Sequence, residues 1–355
     1  MMRSLKKITL NSIFFILAGL LTLLLMEGYI RYGEIQSLSN FEVDSVHGKR
    51  LRARVPMLYL MEGFYMGEVN EYGYLGPGYA PEKKETTTRI ALIGDSYVEA
   101  FQVFGRDHFR TIMEDSLREQ TELPVQVLNF GRSGFTLADM YVYYRNFAAG
   151  FNPEFFLIFL HNDDLYAQSH QALLPEVKTE GEGITISHDF VQGNAYKKYQ
   201  QTRFFREHSA YLRMANNGVK LIKEGMLPNI VLGKLHLLMR AQETTAAANG
   251  EERNMKEEDL QIPMLYQEIL ETLAKDERVI LVLAEEPGPA VQDFINQQGL
   301  QIIALWHTLE ALKKEGTDSH YWPGTRKYGH WNQQGHEAIG KTLANQLKAK
   351  IKTKE

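Results

Sequence analysis

Arg89-Ile-Ala-Leu-Ile-Gly-Asp-Ser-Tyr-Val-Glu-Ala100 is the stretch whose reading decides the fold. The unbroken apolar run Ile90 to Ile93 reads as a strand buried on both faces, and Gly94-Asp-Ser96 breaks it with a turn. Ser96 thus falls just past the C-terminal edge of a strand, where open α/β sheets present their chemistry. Serine is also a preferred helix N-cap, so this stretch alone leaves Ser96 two readings, cap or nucleophile.

Working outward, the pattern repeats. Helical spacing over Arg106 to Gln120 leads to a second strand, Val125-Gln-Val-Leu-Asn129. A helix over Leu137 to Ala149 leads to a third, Phe155-Phe-Leu-Ile-Phe-Leu160. Val279 to Ala284 and Leu300 to Leu305 supply two more, each after a helical segment, and Gln334 to Ile351 reads as a closing helix. Uniformly apolar strands alternating with helices predict a parallel five-stranded sheet covered on both faces.

The alternation stops between Asp164 and Asp276, and residues of about 165–275 read as a helical cap insertion. Its stretch Tyr196 to Met239 carries Phe204, Phe205, Tyr211, Leu212 and Met214, an apolar stripe expected to face a core. Thr244 to Asp259 is polar and reads as a loop. Ahead of the first strand, residues 31–88 are rich in Tyr, Gly and Met and read as a lead-in ribbon of short strands and turns, with Lys83 to Thr88 as its linker.

At the N-terminus, Arg3, Lys6 and Lys7 precede an apolar run from Ile8 to Met26 that ends at Glu27. That is close to the roughly 20 residues a helix needs to cross a bilayer. The basic flank predicts a signal anchor within residues 1–30, with the remainder extracytoplasmic, periplasmic or at the cell surface. The segment after Met26 offers no small-residue cleavage site.

Composition excludes several classes. The 355-residue chain has 39 Lys and Arg against 44 Asp and Glu, a formal charge of −5, and no basic patch, which excludes a nucleic-acid partner. It has no cysteine, so disulfides, thiolate metal sites and cysteine nucleophiles are excluded.

Four short pieces fall at strand ends or just before the last helix: Gly94-Asp-Ser96, Asn129-Phe-Gly-Arg-Ser-Gly134, His161-Asn-Asp-Asp164, and Gly329-His-Trp-Asn-Gln-Gln-Gly-His336. Their order and placement resemble the SGNH hydrolase superfamily, the GDSL esterases and lipases, over Asn70 to about Leu347 apart from the insertion. The resemblance implies a three-layer α/β/α flavodoxin-like domain over residues 89–355 and no cofactor or metal. It implies Ser96 as nucleophile, His330 as general base, and Gly131 and Asn162 as oxyanion donors beside the Ser96 amide. Gly134 is assigned to the turn, His336 to a structural role, and His161, His307 and His320 to ordinary polar positions.

The residue types suit the chemistry independently. A serine hydroxyl needs a base near neutral pKa, and the tetrahedral oxyanion needs positioned N–H donors. One departure stands out. The family keeps an aspartate two or three residues before the histidine, but here those positions are Tyr328 and Lys327. Asp318 can reach back to His330, a backbone carbonyl can hold the ring, or the site is impaired.

The expected activity is cleavage of an ester-linked acyl group, chiefly O-acetyl, from an extracytoplasmic polysaccharide or a small ester. An O-acetyltransferase on the same residues is the alternative. A non-catalytic glycan-binding or scaffolding protein is the alternative of another class.

Overall fold

The computed structural model describes residues 2–33, 40–59, 62–166, 171–181, 183–223 and 262–352. The expected loop Thr244 to Asp259 and the later part of the expected helix, 224–239, lie outside the described residues. The chain divides into two compact units. One comprises Met1–Ser39 with Tyr199–Met255; the other comprises Asn40–Lys198 with Lys256–Glu355.

The first unit contains α1, Met2–Tyr32. Its segment Thr9–Tyr32 is long and apolar enough to be a membrane span or a signal anchor. Leu10, Phe14, Phe15, Leu20 and Leu24 along it are all more than half exposed.

The second unit opens with two antiparallel hairpins, β1 (Phe41–Asp44) with β2 (Gly48–Leu51) and β3 (Pro56–Tyr59) with β4 (Tyr65–Glu68). It continues through β5 (Thr88–Ile93), α2 (Ser96–Glu99), α3 (Phe109–Thr121), β6 (Val125–Asn129), α4 (Leu137–Asn146), β7 (Phe155–Leu160) and α5 (Asn162–Tyr166). A hairpin follows, β8 (Glu176–Glu180) with β9 (Gly183–Ser187), and then α6 (Asn194–His208), whose residues from Tyr199 on belong to the first unit with α7 (Ala210–Lys223). The chain re-enters the sheet through α8 (Met264–Ala274), β10 (Val279–Leu283), α9 (Pro289–Gln298), β11 (Gln301–Ala304) and α10 (Trp306–Lys314). A short hairpin, β12 (Tyr321–Trp322) with β13 (Lys327–Tyr328), precedes the closing helix α11, Gln333–Lys352.

The predicted parallel sheet is present, in the order β11-β10-β7-β5-β6. Its strands are apolar at most positions, β7 and β10 throughout, because both faces are covered, each strand sending alternate residues to opposite sides. Ala91, Ile93, Phe156, Ile158, Leu160, Leu281 and Leu283 pack with residues of α4, α8 and α9. Ile90, Leu92, Phe155, Leu157, Phe159, Ile280 and Val282 pack with residues of α3, α10 and α11. The result is a three-layer α/β/α unit whose strands all point their C-terminal ends to one edge.

The apolar stripe expected on the insertion does not form a core. Phe204 is 67% exposed and Phe205 54%. Tyr199 and Glu207 are the buried residues of α6 instead, joined by a 2.8 Å bond from the Tyr199 hydroxyl to the Glu207 carboxylate.

Candidate active site

The turn after β5 shows which side chain caps α2. Asp95, not Ser96, caps α2: its Oδ1 accepts the Tyr97 N–H at 2.9 Å. The Ser96 hydroxyl is thereby free for another partner, and it lies 2.8 Å from His330 Nε2.

His330 arrives from the β12–β13 hairpin on the approach to α11. Trp322 Nε1 donates to the His330 carbonyl at 2.8 Å, which fixes the backbone there. The other ring nitrogen, Nδ1, lies 2.8 Å from Glu62 Oε2, and the His330 backbone N–H donates to the same oxygen at 3.0 Å. Glu62 therefore sets both the position and the tautomer of the ring: with Nδ1 protonated toward the carboxylate, Nε2 is the acceptor that faces Ser96. Histidine and glutamate side chains are 23% and 19% exposed, so the pair is screened but reachable.

Glu62 comes from the lead-in ribbon, just before β4, and its seat is built by small residues. A Cβ on Gly329 would lie 2.3–2.7 Å from the Glu62 carboxyl atoms, so any side chain there would push that carboxylate from its place beside His330. A Cβ on Gly63 would meet the Gln102 carbonyl at 2.0 Å. Thr325 Oγ1 donates to the Glu62 carbonyl at 2.7 Å, and the Phe64 N–H donates to the Gln102 carbonyl at 3.0 Å.

Asp318 stands elsewhere. Its Oδ1 accepts the His320 N–H at 2.9 Å and its Oδ2 is 4.0 Å from Lys313, so it shapes its own turn and leaves His330 Nδ1 to Glu62. The expectation that Asp318 reaches back is replaced by a carboxylate some 270 residues away in sequence. Sequence spacing held no signal for it, because Glu62 lies in a ribbon with no family motif; only the vacancy at Lys327 and Tyr328 pointed to a missing acid.

The Gly131 expectation also changes. Its N–H donates to Asn129 Oδ1 at 2.9 Å and so faces inside the turn. Gly131 is glycine for packing: a Cβ would sit 2.2 Å from the Glu99 nitrogen and 2.4 Å from the Val98 carbonyl carbon. Gly134 sits at φ +79° as third residue of a turn closed by Phe135 N–H to the Arg132 carbonyl, 3.1 Å. Its own N–H makes no hydrogen bond among the described residues. Of the two glycines, it is the one with a donor to offer.

Asn162 opens α5 at the C-terminal end of β7. Its backbone N–H donates to Glu285 Oε2 at 2.9 Å and its Nδ2 to the Glu286 carbonyl at 3.2 Å, which leaves the second amide hydrogen unspent. Ser96 N–H is the first of α2 and has no intrahelical acceptor.

Aromatic rings line this edge. Tyr97 lies between His161, at 4.1 Å, and His330, at 4.6 Å, with Trp331 at 4.8 Å. His161 is more than an ordinary polar residue: burial opposes its protonation, but Glu285, Asp95 and Asp164 together push its pKa up. His336 is buried, its Nδ1 accepting the Phe109 N–H at 3.2 Å, and burial pulls its pKa down to about 3. It ties α11 to α3 as a neutral ring.

Asp164 offers a pH test. Burial, aided by the charge of Asp95, raises its pKa to about 7, although it accepts the His161 N–H at 2.9 Å. The folded chain thus holds a proton that the unfolded chain releases near pH 4, so this carboxyl contributes most below pH 4. Its contribution falls as pH rises toward 7 and stays low above. Asp164→Asn keeps the acceptor without the charge. We expect it to gain on the order of 2 kcal/mol over the parent at pH 8 and nothing at pH 4, read by denaturant melts at both.

No family model and no curated protein matches the chain. Solved structures do. A lipase/acylhydrolase from Enterococcus faecalis is 15% identical with a TM-score of 0.38, covering 74% of this chain and 96% of its own. An acetyl xylan esterase variant from Geobacillus stearothermophilus is 12% identical with a TM-score of 0.36, covering 73% and 94%. A member of the lipolytic protein G-D-S-L family from Veillonella parvula is 11% identical with a TM-score of 0.31, covering 73% and 97%. At these scores the likeness carries no argument about chemistry, which rests on the geometry of Ser96, His330 and Glu62.

Proposed function

We propose that the chain is a serine esterase of SGNH type that works through a Ser96 acyl-enzyme. The observation that carries this reading is the continuous chain Ser96 Oγ, His330, Glu62, with 2.8 Å at both links. His330 Nε2 takes the Ser96 proton as Oγ attacks the ester carbonyl, and Glu62 stabilises the imidazolium that forms. The oxyanion is met by the Ser96 N–H, the free Asn162 amide hydrogen and the Gly134 N–H, each such donor being worth about 2.7–4 kcal/mol in the barrier. Collapse expels the alcohol, which takes its proton from His330. Water activated by the same ring then releases the acid.

Glu62 beside His330 Nδ1 supports the catalytic reading over the non-catalytic one, whose motive was the empty family position. We assign α1 as a membrane anchor with the second unit extracytoplasmic, supported by the basic residues Arg3, Lys6 and Lys7 before an apolar helix. A tethered esterase there meets envelope and secreted polymers, so the substrate class is an O-acylated, chiefly O-acetylated, polysaccharide.

The test uses the full chain in detergent micelles. A fluorophosphonate probe is expected to label the protein, and Ser96→Ala to abolish both labelling and turnover of p-nitrophenyl acetate. Labelling that survives Ser96→Ala, or an intact protein that neither labels nor turns over, overturns the esterase.

A further inference from the structure

We infer that the elbow between α6 and α7 is a membrane-contacting element, with the Phe204–Phe205 pair seated among lipid headgroups at the outer end of α1. The inference rests on the reading of α1 as an anchor and adds a second, peripheral contact to it.

Three observations within the first unit converge. The outer end of α1 carries the marks of a bilayer interface: Tyr29 and Tyr32 are 71% and 95% exposed, and Arg31 lies between them. The elbow is bonded to α1 at that level. Glu27 accepts the Ala210 N–H at 2.8 Å, the Tyr211 N–H at 2.9 Å and the Ser209 hydroxyl at 2.9 Å, acting as a borrowed cap for α7. Arg31 bonds the Glu27 carboxylate at 2.6 Å and donates to the His208 carbonyl. If α1 crosses the bilayer, these bonds hold residues 208–211 where the hydrocarbon ends.

The apolar surface then has a place to go. Phe204 and Phe205 project from α6 with His208, while Tyr199, Arg203 and Glu207 are tied to one another on the far side. Leu212 and Val219, 43% and 49% exposed, lie two turns apart on one face of α7. Two exposed phenylalanines on one face, with Arg206 turned away from them, match the apolar face of an interfacial helix. A second protein chain would satisfy the phenylalanines equally, but it would not explain why the elbow that follows them is bonded to the outer end of α1.

The absence of cysteine allows a direct test on the full chain. Single variants Phe205→Cys, Arg206→Cys and Leu20→Cys are labelled with an environment-sensitive nitrobenzoxadiazole and reconstituted into phosphatidylcholine vesicles with a minority of phosphatidylglycerol. Lipids carry nitroxides at the headgroup or midway down the acyl chain. The expected result is quenching of roughly two-fold or more at 205 by the headgroup nitroxide, little at 206, and quenching at 20 by the mid-chain nitroxide. Quenching at 20 with none at 205, or equal quenching at 205 and 206, overturns the elbow contact while the anchor stands. No quenching at 20 overturns the anchor, and the elbow contact with it.

Discussion

Glu62→Ala lowers kcat/KM for p-nitrophenyl acetate by about 10⁴-fold, roughly 5.5 kcal/mol of transition-state stabilisation, while Asp318→Asn stays within about three-fold of the parent. The contrast follows from the bonds. Glu62 Oε2 is shared by the His330 ring and the His330 backbone N–H, so alanine removes both the orientation of the ring and the charge opposite the imidazolium. Glu62→Gln separates the two. Because the backbone N–H demands an acceptor, the amide oxygen turns inward and keeps the tautomer, so only the charge is lost and the cost is smaller, about 10²–10³-fold. Asp318 has neither contact. The measurement is steady-state kinetics of the full chain with melting curves to show that each variant is folded. Near-parental activity of Glu62→Ala, or a large loss with Asp318→Asn, sinks the assignment of Glu62.

What was readable in the sequence was whatever the chain expresses locally. Ile90 to Ile93 announces a two-sided strand through its own residues, and the Gly94-Asp-Ser96 turn follows it directly. The sheet and the placement of Ser96 and His330 at its edge could be read from such pieces. Glu62 could not, because its role is created by the fold: a glutamate in a Tyr- and Gly-rich ribbon gains meaning only when Gly329 lets it approach His330. Gly131 was misread for a related reason. Glycine before a turn suits a donor and a close contact equally, and only the bond to Asn129 Oδ1 tells them apart. The stripe on α6 failed because helical periodicity shows that a face is apolar without showing what covers it.

Gly131→Ala tests that distinction with the second large effect. Alanine has the same backbone N–H, so a donor role alone predicts tolerance. A packing role predicts collapse of the site, since the added methyl would lie 2.2 Å from the Glu99 nitrogen and 2.4 Å from the Val98 carbonyl carbon. Both are backbone atoms of α2, which begins at Ser96 and cannot retreat easily: Val98 is fully buried and its carbonyl lies 3.1 Å from His108 Nε2. Relief must come from moving α2 and Ser96 with it. We expect a loss of about 3 kcal/mol or more in stability, and at least about 10²-fold in kcat/KM where folded protein is recovered, because a shift near 1 Å at the nucleophile spoils its alignment with His330. Gly134→Ala is the comparison. A Cβ there meets only Gln171 Nε2 at 3.6 Å, and the strain of φ +79° should cost about 1 kcal/mol with the fold retained. Denaturant melts and fluorophosphonate labelling rates of the two variants decide the matter. A Gly131→Ala protein with parental stability and labelling would mean that α2 yields at no cost, and the packing account of this glycine would fail.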